Sequence, residues 1–456
     1  MSESKAIDIK RTNSIEQVRY GCAIGALATV AAIPGALPIT HCGPGCTSKQ
    51  SGVLMGNGSQ GGGYSAGPVI PSVNATEKEV VFGGEKKLRE LIKSSLVLLK
   101  ADLFVVLNGC IGELVGDDVE SVVSEFQDLG FPVVHADTGG FKGNNLIGHE
   151  IVAKAIIDQF VGEYHGEKKQ GLINVWSETP YQNTFWRGDL EEIKRILEGS
   201  GFKVNILFGP ESEGVSEWKE IPKAQFNLIL SPWVGLGIAK HLERKYKQPY
   251  LHVPIIPIGA KETSEFLRKV SDFSGRNKDK VERFIEKEEK RYYHYLDSFS
   301  EFYAEYGWSV TSLYAVISDS AYGLAINRFL ADQLGLVPVI QVITDNPPEK
   351  YRKLINEQFE NISDDISSRV EYAEDGYTID KIIKSQDFGG RPPIIFGTAW
   401  DRDLSRELNG YIMEISLPVS NEIVVDRSYI GYRGALTFLE RLYTIVTATD
   451  SKIITS

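Results

Sequence analysis

The stretch ADLFVVLNGC (101–110) is followed by DDVESVVSEFQDLG (117–130) and FPVVHAD (131–137), and this order decides the fold. The first stretch is a short, β-branched apolar run that ends at a glycine, which is typical of a buried strand. The second mixes apolar and charged residues in the manner of an amphipathic helix. The third is another short apolar run. A strand, a helix and a strand in succession predict one unit of a parallel sheet.

The same order recurs twice along the chain. The second round consists of GLINVW (171–176), GDLEEIKRILEGSG (188–201) and FKVNILFG (202–209). Its helix carries one apolar face, formed by Leu190, Ile193, Ile196 and Leu197. The third round consists of SLYAVISDS (312–320), AYGLAINRFLADQLG (321–335) and LVPVIQVI (336–343). This repetition predicts an α/β fold with parallel sheets and helices on both faces, whose ligands bind at the carboxyl ends of the strands.

The 456 residues, at roughly 150 per domain, predict three domains. We expect a first domain over 1–165 that carries any metal site and a second over 166–300. A third domain is expected over 301–456. The charged stretch KVERFIEKEEKRYYHYLDSF (280–299) predicts a helix that links the second domain to the third.

Composition narrows the class of protein. Apolar residues make up 42% and charged residues 24% of the chain, and the net charge is −12, which argues against general nucleic-acid binding. The first 17 residues lack the apolar core of a signal peptide, and no run of 18 uninterrupted apolar residues occurs. We therefore expect a cytoplasmic protein without a membrane partner, whose thiols stay reduced.

All four cysteines lie in the first quarter of the chain: Cys22, Cys42, Cys46 and Cys110. The turn HCGPGC (41–46) contains two of them. Because two or three of the thiols are expected at element ends that face one crevice, they are candidates to hold zinc or iron–sulfur. The spacing matches neither a zinc ribbon nor a ferredoxin run, and free cysteines are commonly buried. The spacing alone leaves open a metal site and a set of structural thiols.

Three further motifs are weaker. GNGSQG (56–61) has the form of a dinucleotide fingerprint but does not follow a clean strand, so we expect a surface loop. His41 is expected to be satisfied by backbone hydrogen bonds, and WDRD (400–403) to form a solvated loop. No Walker A pattern occurs, which argues against ATP hydrolysis through a P-loop.

Six segments in a fixed order resemble the nitrogenase component 1 family. They are RYGCAIGA with THCGPGC (19–46), VVFGGEKKLRELI (80–92), NGCIGELVGDDVE (108–120), FWRGDLEEIKRILEGSGFKVN (185–205), NLILSPWVGLGIAKHLE (227–243) and YIGYRGALTFLERL (429–442). The resemblance spans essentially the whole chain. It implies the nitrogenase component 1 architecture of three Rossmann-like domains.

In that family three cysteines per subunit ligate an iron–sulfur cluster at the interface of an α and a β subunit. Cys22, Cys46 and Cys110 match those positions. The resemblance therefore implies a cluster shared with a partner subunit, either a P-cluster-like 8Fe-7S cluster or a 4Fe-4S cluster. Cys42 is an additional thiol, either a spare ligand or, as we favour, a buried thiol.

The α-type chain of the family holds a second cofactor through a mid-chain cysteine and a late histidine. Here no cysteine follows Cys110 and no histidine follows His294. The resemblance thus implies a β-type subunit that acts with an α-type partner, as an α2β2 heterotetramer, and with an ATP-dependent iron–sulfur reductase. Such a subunit transfers electrons and has no catalytic residues of its own. Lys49 and the pair Asp117–Asp118 are expected to shape docking.

Two departures point away from the dinitrogen-reducing enzymes. Only 21 residues precede Cys22, and ADTGGFKGNN (136–145) offers Thr138 and two glycines where family β subunits can offer a serine to the cluster. Among nitrogenase-like proteins, the resemblance suggests the methylthio-alkane reductases, which cleave carbon–sulfur bonds. Two other functions stay open. One is a scaffold for assembly of a complex iron–sulfur cofactor, and the other is a cluster-free interaction subunit with structural thiols.

Overall fold

Three parallel sheets organise the protein. The structure, a computed structural model, describes residues 19–55, 57–58, 70–306, 312–363 and 366–455. Its described residues contain twelve strands in sheets of three, four and five, and neighbouring strands in each sheet are parallel. The predicted α/β class with parallel sheets is therefore confirmed.

The first sheet has the order β1-β2-β3, with β1 at Ala36–His41, β2 at Leu103–Asn108 and β3 at Val133–Asp137. The helices of this part of the chain are α1 (Ala26–Ala31), α2 (Pro44–Met55), α3 (Glu77–Phe82), α4 (Glu85–Leu98), α5 (Cys110–Val115), α6 (Val119–Asp128) and α7 (Asn145–Ile156). All six residues of β2 are buried, as expected for the central strand of a sheet covered on both faces.

The second sheet has the order β5-β4-β6-β7. Its strands are β4 (Lys169–Trp176), β5 (Lys203–Asn205), β6 (Ala224–Leu230) and β7 (Tyr250–Val253). The helices are α8 (Trp186–Gly199), α9 (Val215–Trp218), α10 (Leu236–Tyr246), α11 (Gly259–Ser274) and α12 (Lys278–Tyr306). α12 contains the predicted linking helix, whereas the strand predicted over 202–209 shortens to the three residues of β5.

The third sheet has the order β10-β9-β8-β11-β12. Its strands are β8 (Leu313–Ser318), β9 (Val337–Ile343), β10 (Val370–Tyr372), β11 (Ile394–Gly397) and β12 (Tyr411–Glu414). The helices are α13 (Ser320–Arg328), α14 (Glu349–Glu360), α15 (Gly376–Lys384), α16 (Arg402–Glu407) and α17 (Gly431–Thr455). The helix predicted over 321–335 is α13, which continues as a π-helical turn at Phe329–Gln333.

One apolar core joins side chains of all three sheets, among them Leu103, Ile173 and Val316. The predicted apolar face of α8 lies in it, because Leu190, Ile193, Ile196 and Leu197 are all buried. Burying each such side chain stabilises the fold by about 1.5–3 kcal/mol relative to leaving it exposed.

The stretch 400–403 is not the solvated loop that its charges predict. Ala399–Asp401 forms a 3-10 turn that leads into α16. Asp401 is buried and accepts two hydrogen bonds from the guanidinium of Arg19, at 2.7 and 3.2 Å. The bidentate ion pair compensates the charge of both buried groups. It fixes the start of the described chain, three residues before Cys22, against the third sheet.

A buried carboxyl group connects α8 to the third sheet. Asp189 is fully buried and accepts hydrogen bonds from the hydroxyls of Tyr322 on α13, at 2.5 Å, and Ser428 before α17, at 2.6 Å. Burial raises the pKa of Asp189 to about 7. The carboxyl group therefore favours its protonated form in the folded protein far more than in the unfolded chain.

This shift predicts a pH-dependent stability. Its contribution to the free energy of unfolding is complete below about pH 4 and is lost as the pH rises to about 7, a fall of roughly 2–4 kcal/mol. Asp189→Asn keeps the shape and removes the titration, so urea unfolding of this variant between pH 4 and 7 should show a shallower fall. Asp403→Asn, an exposed carboxylate on α16, should leave the wild-type slope; equal slopes in Asp189→Asn and wild type would contradict the assignment.

Candidate metal centre

Three of the four thiols lie at element ends near the carboxyl edge of the first sheet. Cys22 precedes the 3-10 turn Ala23–Gly25, Cys46 lies in the first turn of α2, and Cys110 is the first residue of α5. All three are half-buried. The predicted turn 41–46 is the end of β1 followed by the start of α2.

Gly140 marks the place where these thiols meet. A Cβ added to Gly140 would lie 2.8 Å from Cβ of Cys22 and 3.3 Å from Sγ of Cys110. The backbone N–H of Gly140 donates a hydrogen bond to Sγ of Cys110 at 3.0 Å. Burial raises the pKa of Cys22, and the neighbouring thiols of Cys46 and Cys110 raise it further. The structure thus brings Cys22 and Cys110 together at Gly140, and it places the thiol of Cys46 near that of Cys22.

The donor set fits an iron–sulfur cluster. Thiolates are its usual ligands, and N–H groups directed at sulfur tune its reduction potential. Within the described part of the chain, no three His, Cys, Asp or Glu side chains are placed to hold one metal ion. A single zinc ion therefore lacks a protein site here, whereas a cluster presents a separate iron atom to each thiolate.

The loop that carries Gly140 is fixed by a charged pair. The carboxylate of Glu113 on α5 accepts the N–H of Gly139 at 2.6 Å and lies 2.8 Å from Nζ of Lys142. The Thr138 hydroxyl, which the sequence offers in place of a family serine, donates to the carbonyl oxygen of Asn108 and is fully buried. Thr138 therefore holds the loop to the end of β2, and Gly140 is the residue beside the thiols.

Cys42 differs from the other three thiols. It is buried and packs against Gly109, where an added Cβ would lie 2.9 Å from Cβ of Cys42. A hydrogen bond between the thiols of Cys42 and Cys46 lowers the pKa of Cys42 and raises that of Cys46. This position agrees with the buried thiol that we favour, and its role toward a cluster stays a prediction.

Two expectations about nearby charges are wrong. The side chain of His41 pairs with a carboxylate instead of the backbone, since Nε2 lies 2.7 Å from Oδ2 of Asp117. That carboxylate also accepts the N–H of Gly84 at 2.9 Å, and its side chain is almost fully buried. Asp117 is therefore a structural residue. Of the residues expected to shape docking, Asp118 and Lys49 are exposed.

Sequence reasoning missed Gly140, Glu113 and Lys142. The only local signal was the double glycine at 139–140, which follows a predicted strand. The GNGSQG motif lies outside the described residues except for Asn57 and Gly58, and the N–H of Gly58 donates to the carbonyl oxygen of Val419.

Large apolar side chains are exposed around the thiols. Phe141 follows Gly140 and is 60% exposed, and Leu114 on α5 is 77% exposed. Phe82, on the neighbouring helix α3, is 82% exposed. We refer to these three exposed side chains, on α5, on α3 and in the loop of Gly140, as the apolar rim; large exposed apolar side chains are common at protein–protein contacts.

Known proteins match most of this chain. A family model described as nitrogenase component 1 type oxidoreductase matches residues 22–447. The nitrogenase molybdenum-iron protein beta chain of Clostridium pasteurianum is 24% identical over 470 residues, which cover 97% of this chain and 94% of that protein. The light-independent protochlorophyllide reductase of Angiopteris evecta has a subunit that is 26% identical over 387 residues, covering 80% of this chain and 71% of that one.

The fold is shared with solved structures. Nitrogenase Cp1 at pH 6.5 superposes with a TM-score of 0.78 at 21% identity, covering 99% of this chain and 96% of the other. The predicted nitrogenase component 1 architecture is confirmed by this likeness. Among the helices of the described residues, none has the length and apolar character needed to cross a membrane.

The close packing at Gly140 predicts that one methyl group added there destabilises the fold, whereas one added at an open glycine does not. Gly140→Ala forces Cβ against Cys22 and displaces the loop, so we expect the free energy of unfolding to fall by about 1–3 kcal/mol. Gly45→Ala is the matched control, because a Cβ at Gly45, next to Cys46, meets nothing within 4 Å. Denaturant unfolding of both variants tests this; an equal effect of the two would contradict the close packing at Gly140.

Proposed function

This chain belongs to the nitrogenase component 1 type oxidoreductase family, and we propose that it is a β-type, electron-relaying subunit. It would pass electrons from an ATP-driven iron–sulfur reductase, through a cluster shared with an α-type partner, to a cofactor in that partner. The observation that carries this proposal is the approach of Cys22 and Cys110 at Gly140, with the thiol of Cys46 near that of Cys22.

The residues of this chain have distinct tasks in the proposal. The thiolates of Cys22, Cys46 and Cys110 would hold the cluster, which supplies electron storage and transfer when it is bound. The N–H of Gly140 stabilises negative charge on sulfur and so favours the reduced state. Glu113 and Lys142 are positioning residues, because they fix the loop that aims this N–H.

The open side of the site supports a shared cluster. The three thiols are half-buried, and the apolar rim of Phe82, Leu114 and Phe141 lies on the neighbouring helix α3, on the helix of Cys110 and in the loop of Gly140. A partner that covers this rim would supply the remaining ligands and exclude water. Burial in a low-dielectric interface shields a cluster from solvent and tunes its potential. We propose that the partner is the α-type subunit, in an α2β2 assembly.

The proposal of a β-type subunit rests on two ligand residues of α-type chains, a mid-chain cysteine and a late histidine, that this sequence lacks. No cysteine follows Cys110 and no histidine follows His294, so the chain cannot hold the second cofactor of an α-type subunit through that family's ligands. The nitrogenase relative compared above is also a beta chain. The substrate would thus be reduced in the partner. We propose a carbon–sulfur compound, because the chain has glycines at 139–140 where family β subunits can offer a serine to the cluster.

Alanine substitution of each cysteine tests the cluster assignment. We expect Cys22→Ala, Cys46→Ala and Cys110→Ala to lose more than about half of the iron assigned to the interfacial cluster, since each thiolate holds a separate iron atom. Cys42→Ala is the matched control and should keep the wild-type iron. Iron analysis and electron paramagnetic resonance of the complex, purified without oxygen, give the readout.

The outcomes separate the competing functions. A folded wild-type complex with almost no iron would overturn the electron-relay proposal and leave four structural thiols. Turnover with a reductase and ATP supports the enzyme subunit. Transfer of a cofactor from the complex to another apoprotein, without turnover, would instead identify an assembly scaffold.

The positioning role of Glu113 predicts a change in potential. Glu113→Gln weakens its contacts with Gly139 and Lys142, which loosens the N–H of Gly140 from Cys110. A hydrogen bond is worth about 1 kcal/mol, and for one electron 59 mV corresponds to about 1.4 kcal/mol. We therefore expect the reduction potential to fall by some tens of millivolts in redox titration. Glu120→Gln, an exposed residue of α6, should leave it unchanged, and an unchanged potential in Glu113→Gln would refute the role.

A further inference from the structure

A second site lies inside the chain, away from the thiols. A cavity of about 30 Å³ lies at the carboxyl ends of two strands of the second sheet, β4 and β6, and two of the third, β8 and β9. Ligands of open parallel sheets bind at such ends. The lining residues are polar except for four: Tyr20, Leu146, Ser177, Glu178, Thr179, Gln182, Asn183, Ser231, Val234, Asp319, Ser320, Ala321 and Asp345.

Two buried carboxylates in this lining each have one oxygen without a partner. Asp345 is 1% exposed; its Oδ2 accepts hydrogen bonds from Trp233 and Ser320, and its Oδ1 accepts none. Glu178 is 5% exposed; its Oε2 accepts a hydrogen bond from Asn183, and its Oε1 accepts none. Buried carboxylate oxygens are rarely left unpaired, because nothing then replaces the water they lose.

The cavity has an excess of negative charge. A third carboxylate, that of Asp319, caps α13 and accepts the N–H groups of Ala321 and Tyr322. The lining contains no Lys, Arg or His. Burial, and after it the charge of Asp319, raise the pKa of Asp345 to about 6. Burial likewise raises the pKa of Glu178 well above its usual range, as do the charges of Asp189 and Asp319. A bound positive charge would remove this conflict.

The chemistry of the lining selects the kind of cation. Carboxylate, hydroxyl and carbonyl oxygens suit a hard cation. No three acidic side chains of the described residues converge on one point, so neutral oxygens must complete the coordination. Ca²⁺ accepts six to eight oxygen ligands in flexible geometry. Mg²⁺ demands near-ideal octahedral geometry and keeps several waters, which suits an irregular set of protein oxygens less well than Ca²⁺ does.

We propose that this cavity binds one Ca²⁺ ion between Oε1 of Glu178 and Oδ1 of Asp345, with neutral oxygens of the surrounding loops. The ion would tie the second sheet to the third. It would also support the segment that carries Cys22. Asn144 forms an isolated β-bridge with Cys22 and donates from Nδ2 to the carbonyl oxygen of Asp345 at 2.9 Å.

The test uses the full-length chain, purified without oxygen, treated with EGTA and desalted. After incubation with 1 mM CaCl2 and a second desalting, we expect about one calcium per chain by elemental analysis and a melting temperature several degrees higher. The double variant Glu178→Gln/Asp345→Asn should take up less than a tenth of that calcium and show no rise. It should still fold, because it removes the two uncompensated charges. Glu125→Gln, an exposed residue of α6, is the control and should bind as the wild type does.

Three results would overturn the calcium site. They are no calcium uptake by the wild type, equal uptake by the double variant, and an equal rise in melting temperature with KCl at the same ionic strength. If the wild type takes up no calcium, and its stabilisation on lowering the pH from 7 to 5 is smaller in the double variant, the two carboxyl groups hold protons instead. Iron content, measured in the same samples, reports on the electron-relay proposal separately.

Discussion

The geometry of the parallel sheet is the constraint on which both sites depend. Every strand of such a sheet ends at the same edge, so the loops that follow neighbouring strands meet there. Cys46 follows β1, Cys110 follows β2 and Gly140 follows β3, although nearly a hundred residues separate the first from the last. In the thiol site, residues far apart in sequence become neighbours because their strands are neighbours. Glu178 and Asp345 follow β4 and β9, which lie in different sheets, and they meet because the carboxyl ends of both sheets face one cavity.

Within the thiol site, the backbone matters as much as the cysteines. Gly140 presents an N–H to Cys110 and leaves no room for a side chain against Cys22. A serine at this position could offer a hydroxyl to a cluster only if Cys22 or the loop moved. The Glu113–Lys142 pair holds the loop in place, and as a partly buried, charge-assisted contact it resists solvent screening better than a surface pair.

Sequence patterns predict strands and helices because each pattern depends only on residues close together in the chain. Alternating strand and helix patterns gave the parallel sheets, and the spacing of Leu190, Ile193, Ile196 and Leu197 gave the buried face of α8. The same patterns failed where a charge is buried by a distant partner. From the sequence alone, Asp401 is expected in a solvated loop. In the structure its carboxylate is paired with Arg19, which lies 382 positions away in the chain. Composition and periodicity contain no information about such a pair.

The candidate sites were predictable to different degrees for the same reason. Family resemblance supplied Cys22, Cys46 and Cys110, but Glu113 and Gly140 emerged only once β2 and β3 lay side by side. The acidic cavity gave no sequence signal, because Glu178 and Asp345 belong to different sheets and neither stands in a motif.

The two sites also differ in what they need from outside the chain. The three proposed ligands are half-buried, and exposed apolar side chains lie on neighbouring elements, which fits the proposed partner that would cover them. The acidic cavity is lined by this chain's own loops, and its lining contains three carboxylates but no Lys, Arg or His. Asn144 joins the two, since it pairs with Cys22 and donates to the backbone of Asp345. A charge bound in the cavity therefore acts on the segment bearing Cys22 through one short connection, before any partner has docked.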